Sequence, residues 1–415
     1  LEKKITDSEG SLNEYIDQLC WVIMKRLDNL AIEMLERIPE DKVVEVLEGK
    51  NPHDSTTFYW AIGFRSENIA IEMLEKIPDD KIVDFLKIMD KDNNTAMHMA
   101  VVFHLKDLAI EILERIPEDK IVDLLKITDG DGKTAMFAAV EKGFEDLTVK
   151  MLEKIPEDKI VEVLKIADKY DTLAMHCVIA RGLEGLAIKM LEKIPENQRF
   201  DFLKITKTPM HMAIENGLEG LAIRMLEKVP ENQRFDLLKI IDDGYGTTAM
   251  HMAIENGLKG LAIRMLEKIP ENQRFDLLKI KDGLDRMILH RAIEHRLEGL
   301  AIRMLEKVPE NQRFDLLKIK DFLDQTFLYS IVESSLEDLA IKMLEKIPDD
   351  KIVEDIKDIL NLAKEKHLDN LVNKIRLIQR RQYKRIALKI LPFIILGLGL
   401  GIGAYSKYLS TNEDK

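Results

Sequence analysis

Met151-Leu152-Glu153-Lys154-Ile155-Pro156-Glu157 is one of nine versions of the same heptapeptide, and this recurrence decides the fold. Each version contains an Ile-Pro or Val-Pro pair, and most successive pairs are separated by 39 residues. The prolines are Pro39, Pro78, Pro117, Pro156, Pro195, Pro230, Pro270, Pro309 and Pro348. Fixed periods of this length are typical of stacked repeat arrays, in which each unit contacts mainly its neighbours. Such arrays offer an extended binding surface rather than a catalytic pocket.

One repeat, read from Thr95 to Gly130, predicts three helices. Thr95 can cap a short first helix, because its hydroxyl can accept from a free backbone N–H. A second helix is indicated by apolar residues at i, i+3, i+4, i+7, i+8 and i+11. These residues are Leu105, Leu108, Ala109, Ile112, Leu113 and Ile116. Pro117 ends the second helix and suits the start of a short third one. No stretch shows sustained strand alternation, so the sequence predicts an all-α chain.

The first helix carries a resemblance to a known family. Thr208-Pro209-Met210-His211-Met212-Ala213 resembles the Thr-Pro-Leu-His-x-Ala signature of ankyrin repeats. In other repeats, the threonine position is occupied by Thr56, Thr95, Thr134, Thr248 and Thr326. The histidine position is occupied by His98, His176, His251 and His290, and the alanine position by Ala61, Ala100, Ala139, Ala253 and Ala292. Glycines between the first two helices fit the same pattern: Gly143, Gly182, Gly217 and Gly257. The resemblance implies an ankyrin-like helical solenoid that binds proteins.

The repeats depart from that family at their ends. Ankyrin units run about 33 residues and end in a β-turn. Here the ending is Pro-Glu-Asp-Lys-Ile-Val-Asp-Leu-Leu or Pro-Glu-Asn-Gln-Arg-Phe-Asp-Leu-Leu, which predicts an extra short helix in place of the family's β-hairpin. A HEAT-like or armadillo-like array has a similar period and is the structural alternative.

Composition narrows the classes of partner. The net charge is −13 overall, but residues 371–415 carry +7, which leaves −20 for residues 1–370. An acidic repeat body argues against nucleic-acid binding. Cys20 and Cys177 are the only cysteines, and one pair in 415 residues indicates a reducing compartment rather than a disulfide framework. The chain begins at Leu1 rather than Met, and the expectation from this is that the natural start is missing.

The turns before the first helices vary more than the rest of the repeat. By contrast, residues 211–240 and 251–280 differ only at Glu219 against Lys259 and Val229 against Ile269, so units were copied within the chain. The turns are therefore the predicted partner-binding positions, and the alternative is drift where nothing packs on them. The candidate residues are Asp92, Asn94, Asp131, Lys133, Tyr170, Tyr245, Asp285 and Arg286.

No group of residues in the sequence predicts a catalytic or metal-binding site. One histidine per repeat cannot readily share a metal ion, because neighbouring helices lie about 8–10 Å apart and zinc–nitrogen bonds are about 2 Å long. Asp90-Lys91-Asp92-Asn93-Asn94 imitates an EF-hand opening, but Thr95 and Val101 occupy the positions that need Gly and Glu. The sequence therefore predicts no catalytic residues, no metal and no cofactor, with a remnant of an enzyme as the weakest alternative.

The C-terminal tail predicts a membrane helix. Ile390 to Tyr405 is an uncharged run, and counting from Ile386 gives a transmembrane helix over 386–405 with Lys389 snorkelling towards the headgroups. The basic residues Arg380, Arg381, Lys384 and Arg385 precede it and predict that the repeats face the cytosol. The glycines Gly397, Gly399, Gly401 and Gly403 form two small-xxx-small pairs, which could make a helix-packing face and a tail-mediated oligomer. The alternatives are a buried helix docked on the array, or a nuclear signal in the basic cluster.

These features together predict five segments: 1–16, an N-terminal segment; 17–348, nine ankyrin-like repeats; 349–385, a helical cap with the basic cluster; 386–405, the transmembrane helix; and 406–415, a polar tail. The predicted function is a membrane-anchored protein–protein interaction scaffold with an unknown protein partner and a lipid bilayer. Membrane-tailed ankyrin proteins that intracellular bacteria direct at host cells look similar, which implies a host-directed effector at a host membrane. The alternative function is a membrane-active protein whose glycine-rich tail oligomerises or perturbs the bilayer, with the repeats as a regulatory module.

Overall fold

The structure is a computed structural model that describes residues 9–51, 53, 55–205, 208–242, 246–320, 325–346, 356–381, 383–384 and 388. The chain divides into two compact units, Leu1–Pro230 and Glu231–Lys415. In both units the described residues form helices joined by short turns. The predicted all-helical pattern is confirmed for the described residues, in which the first eight repeats contain three helices each.

The first and second helices of each repeat form an antiparallel pair joined by a tight turn. The first helices are Glu9–Met24, Thr57–Gly63, Ala96–Val102, Ala135–Lys142, Ala174–Ala180, Pro209–Glu215, Ala249–Glu255, Ile288–Glu294 and Phe327–Glu333. The second helices are Asp28–Glu36, Glu67–Glu75, Lys106–Arg115, Glu145–Lys154, Glu184–Lys193, Glu219–Lys228, Lys259–Glu267, Glu298–Glu306 and Glu337–Glu345. Within each unit, first helices pack on first helices and second on second, as stacked repeats require.

The third helices follow the prolines. They are Val43–Glu48, Ile82–Leu86, Ile121–Leu125, Ile160–Leu164, Glu196–Leu203, Glu231–Leu238, Glu271–Leu278 and Glu310–Leu317. The longer ones belong to the Pro-Glu-Asn-Gln-Arg-Phe repeats, whereas single 3₁₀ turns precede the helices that begin at Val43 and Ile121. Proline ends the second helix because it has no N–H and restricts the residue before it.

Local sequence explains the helix ends. Thr134 caps its first helix by accepting a hydrogen bond from the backbone N–H of Phe137 at 3.2 Å. Gly143 ends that helix at φ +78°, a left-handed conformation that glycine adopts without steric cost. The predicted N-terminal caps and C-terminal glycine are therefore both present.

The apolar face predicted for the second helix lies in the core. Leu105, Leu108, Ala109, Ile112, Leu113 and Ile116 are each no more than 4% exposed. The first helix adds Met97 and Val101, and the third adds Ile121 and Leu125, all at 1% exposure or less. Each repeat thus buries three short apolar faces together, which none of these helices could do alone.

Isolated β-bridges occur in the turns that join the third helix of one repeat to the first helix of the next. Single antiparallel bridges join the two ends of such a turn, for example between Thr128 and Thr134 and between Lys281 and Met287. Within the described residues these bridges are isolated and no strand is formed. The predicted replacement of a hairpin by a helix therefore holds, and the remaining bridge keeps each turn narrow.

Two helices, Ile356–Glu365 and 369–381, follow the last repeat and have buried apolar residues such as Ile359 and Leu371. No helix among the described residues has both the length and the apolar character needed to cross a bilayer. The predicted membrane residues Lys389, Gly397, Gly399, Gly401 and Gly403 lie outside the described residues, as does nearly all of the predicted span 386–405.

Candidate protein-interaction surface

Threonine–histidine pairs fix the first helix of a repeat to the following turn. In the third repeat, the backbone N–H of Thr95 donates to His98 Nδ1 at 3.3 Å, and His98 Nε2 lies 3.1 Å from the carbonyl oxygen of Lys133. Because Nδ1 accepts, Nε2 carries the proton that is donated to Lys133. The histidine is 1% exposed, and its burial lowers the pKa of the imidazole. These contacts give the histidine a structural role.

Four of the described turns are shaped by an aspartate whose structural role the sequence analysis did not predict. Asp129 Oδ1 accepts from the backbone N–H groups of Asp131 and Lys133, both at 2.9 Å. Asp90, Asp168 and Asp282 make the same pair of bonds in their turns. Side chains of this type commonly hydrogen-bond the backbone two residues on. The signal was present in the sequence, because an aspartate recurs five residues before most of the first-helix caps.

Asn94, Lys133 and Arg286 were predicted to bind a partner, but they are engaged by side chains of their own turn or of the first helix that follows it. Asn94 donates its amide to both carboxylate oxygens of Asp90, at 3.2 and 3.1 Å. Lys133 Nζ lies 2.8 Å from Glu141 Oε1, and although burial opposes the charge, this ion pair raises the pKa of the lysine. Arg286 lies 3.0 Å from Glu294, and it also contacts Asp282. These three residues therefore hold the turns in shape.

The remaining predicted side chains are presented to solvent. Tyr170 is 67% exposed, with Lys169 Nζ 5.1 Å from the centre of its ring. Asp92, Asp131 and Asp285 are exposed, although Asp285 forms an ion pair with Lys281 at 2.8 Å. Asp131 forms an ion pair with Lys169 at 2.7 Å, which lowers the pKa of the carboxyl group. Tyr245 lies outside the described residues.

Consecutive turns are linked through the backbone of these same residues. The N–H of Gly130 donates to the carbonyl oxygen of Asp92 at 2.8 Å, and the N–H of Lys169 donates to that of Asp131 at 2.9 Å. The exposed side chains of Asp92, Asp131 and Tyr170 therefore form one row in unit Leu1–Pro230. Gly130 allows the close approach, because a Cβ there would lie 3.0 Å from the Asp92 oxygen.

The arginine of the Pro-Glu-Asn-Gln-Arg-Phe motif has a structural role that sequence reasoning missed. Arg274 Nε donates to the carbonyl oxygen of Leu266 at 3.1 Å, and another guanidinium nitrogen donates to that of Lys307, one repeat later, at 3.3 Å. Arg199 and Arg313 make equivalent bonds to two consecutive repeats. Each arginine satisfies carbonyl groups that the ends of second helices leave without partners.

An ion network distinguishes the eighth repeat. Asp282, whose side chain is 1% exposed, lies 2.9 Å from Arg291 and 3.1 Å from Arg286. Burial alone would raise the pKa of Asp282, but hydrogen bonds from the backbone of Arg286 and Leu284 and from the Arg286 side chain hold it below its usual value. A cleft of about 620 Å³ lies beside this network, between the first helices of the eighth and ninth repeats.

Among the described residues, no group of three or more His, Cys, Asp or Glu side chains is arranged to hold a metal ion. Of the predicted basic cluster, Arg380, Arg381 and Lys384 are exposed at the end of helix 369–381, whereas Arg385 lies outside the described residues.

No family model matches the chain, and no curated protein matches it. Among solved structures, the chain is similar to the ankyrin repeat domain of Bcl-3, a member of the IkappaB protein family. The two share 14% sequence identity with a TM-score of 0.43, over 58% of this chain and 94% of that chain.

Proposed function

We propose that this chain is a membrane-anchored protein–protein interaction scaffold. The observation that carries the proposal is the row of exposed Asp92, Asp131 and Tyr170 side chains on turns that hydrogen-bond each other. Binding is favoured when the contacting groups are already held in place, because less conformational entropy is lost. A row of side chains held in place by backbone hydrogen bonds is suited to binding an extended segment of a partner.

The charge of the repeat body favours a protein as that partner. Residues 1–370 carry −20, and a nucleic acid would be repelled by such a surface. The exposed turn residues combine carboxylates with an aromatic side chain, a combination that suits a protein surface with basic groups.

The tail sequence supports the membrane part of the proposal. Arg380, Arg381 and Lys384 are exposed and directly precede the apolar residues 386–405. Basic residues beside an apolar segment attract anionic headgroups and bias the flanking domain towards the cytosol. The proposed location is therefore a single-pass membrane protein whose repeats face the cytosol. The host-directed effector role implied by the overall organisation belongs to the same proposal.

Proximity labelling with the full chain in cells tests this function. The proposal expects one reproducible set of cytosolic proteins, which Tyr170→Ser reduces. Loss of the tail should leave binding in solution but remove labelling at the membrane. Leakage of dye-filled liposomes on addition of the full chain would instead favour the membrane-active alternative.

A further inference from the structure

A basic depression of about 310 Å³ lies on unit Glu231–Lys415, beside the turn between the first and second helices of the eighth repeat. It is lined by Lys259, Arg296, Arg303, Glu298 and Gly299. Lys259, Arg296 and Arg303 are exposed and have no ion-pair partner in the part of the chain that the structure describes. Three such cations beside one carboxylate form a positive site within a strongly acidic chain.

Comparison with the chain's own copied repeat shows how this site arose. Residues 211–240 and 251–280 differ at two positions, and only one difference changes the charge: Glu219 is replaced by Lys259. The other replaces Val229 by Ile269, a change of one methylene group. Arg296 likewise stands where Gly257 lies one repeat earlier, and both have positive φ. The depression therefore results from basic replacements in an otherwise repeated framework.

At the equivalent place in two other repeats, a carboxylate accepts hydrogen bonds from the start of a following helix. Glu67 Oε1 accepts from the backbone N–H groups of Asp107 and Leu108, at 2.9 and 3.1 Å. Glu337 Oε1 accepts from that of Leu371 at 2.9 Å. Both glutamates occupy the first position of a second helix, which is the position of Lys259. The start of the following second helix is thus a place that takes a carboxylate in this protein.

Between the fifth and sixth repeats, a glutamate occupies the same space at the start of the following second helix, next to a glycine. A Cβ built on Gly220 would lie 3.2 Å from Glu184 Oε2, so the glutamate fills that space. A Cβ built on Gly299 would meet nothing within 4 Å, and the same is true of Gly185 after Glu145, so a glutamate fills this space in some repeats only. Lys259 can only donate hydrogen bonds, so it cannot accept from the N–H of Gly299, whereas the N–H of Leu300 already donates to the carbonyl oxygen of Leu297 at 2.9 Å. The place is open, and the groups around it favour a carboxylate from outside the chain.

We propose that the basic depression binds a glutamate- or aspartate-bearing segment of a partner protein, with one carboxylate at the start of helix Glu298–Glu306 and others paired with Lys259, Arg296 and Arg303. The inference rests on the proposed interaction function and names the chemistry of one partner segment. Arginine suits this role because its planar guanidinium can bind a carboxylate with two hydrogen bonds. The surrounding acidic surface would repel such a segment elsewhere and so confine it to this site.

Binding of a short fluorescein-labelled peptide of alternating Glu and Gly to the purified full chain in detergent micelles tests the proposal. The matching Gln–Gly peptide serves as the neutral control. The full chain should bind the acidic peptide with an affinity that falls as salt rises, because exposed charges are screened. Lys259→Glu, which restores the residue of the copied repeat, should weaken binding by at least about tenfold, since it fills the open place and repels the peptide. Arg296→Gly should weaken it by a similar factor.

Both variants should fold normally, so a loss of binding would not reflect a loss of folding. Glutamate occupies the position of Lys259 in six other repeats, and glycine holds the conformation of Arg296 at Gly257. Lys189→Glu makes the same charge change on the exposed face of another second helix and should alter affinity by less than about twofold, because Lys189 does not line the depression and its exposed charge is screened. Equal losses in Lys189→Glu and Lys259→Glu, or full binding by Lys259→Glu, would overturn the proposal.

The outcome is separable from that of the proposed function. If Lys259→Glu loses the peptide but the wild-type chain labels no protein reproducibly in cells, the depression stands and the scaffold fails. If the chain labels a protein set but binds neither peptide, the scaffold stands and the depression fails.

Discussion

His98 Nε2 donates a hydrogen bond to the carbonyl oxygen of Lys133 at 3.1 Å, and this contact joins the third repeat to the turn that begins the fourth. The same imidazole accepts from Thr95 through Nδ1, so both ring nitrogens are used inside the array. Stacked repeats gain stability from such interfaces as much as from the units themselves.

Replacing this histidine should therefore destabilise the array. His98→Ala removes two buried hydrogen bonds and leaves a cavity, so we expect a loss of about 2–4 kcal/mol in the free energy of unfolding. His295→Ala, at an exposed position, is the matched control and should leave the urea midpoint unchanged. Circular dichroism during urea unfolding measures both, and equal midpoints for the two variants would contradict the interface role.

Acid should weaken the second unit through His251. Burial lowers its pKa to about 4, with Asp282 opposing and Arg286 and Arg291 adding smaller effects through their charges. An unfolded histidine titrates near 6.5, so the stabilisation is complete above that pH and is lost as pH falls towards 4. The difference corresponds to roughly 3 kcal/mol at pH 4.

Thermal midpoints of the wild type and His251→Gln, measured from pH 7 to pH 4, check this prediction. The gap between the two proteins should narrow or reverse as the pH falls, because glutamine does not titrate. Parallel curves across that range would show that His251 takes no part in the acid response.

The arginine that bonds two repeats predicts a stability effect rather than a binding effect. Arg274→Ala removes charged donors from carbonyl groups of Leu266 and Lys307, and we expect a loss of about 2–3 kcal/mol. Arg274→Lys should not restore it, since one ammonium group cannot reach both carbonyl groups. Urea midpoints distinguish the outcomes, and a lysine variant as stable as the wild type would exclude the two-repeat bridge.

Substitutions of exposed turn residues should affect partner binding, whereas substitutions of structural turn residues should affect stability. Tyr170→Ser should reduce capture of the proteins labelled in cells while leaving the thermal midpoint unchanged, because the ring is 67% exposed. Asp168→Ala should lower the midpoint, because it removes the acceptor for the backbone N–H groups of Tyr170 and Thr172. Undiminished capture by Tyr170→Ser would place the interaction surface elsewhere.

The sequence predicted the helices well because they depend on local signals. Pro117 marks the end of a second helix, and the apolar spacing from Leu105 to Ile116 identifies its buried face. The candidate site was predicted less completely, because residue type alone does not show whether a turn side chain faces solvent or binds a neighbour within the turn. Asn94 and Arg286 looked like surface readers, yet their partners Asp90 and Asp282 hold them in the turns. The Glu219-to-Lys259 change was visible in the sequence, whereas the open place next to Gly299 required coordinates.

The proposed membrane attachment of the chain is tested most directly by carbonate extraction of the full chain from cells. Our account predicts that the wild type stays in the membrane pellet and that its repeats are digested by protease added from the cytosolic side. Replacing Leu396, Leu398, Leu400 and Ile402 by aspartate should release the chain, because each charge costs roughly 2.5–3.5 kcal/mol in a membrane helix. A wild-type chain that carbonate extracts completely would contradict the account.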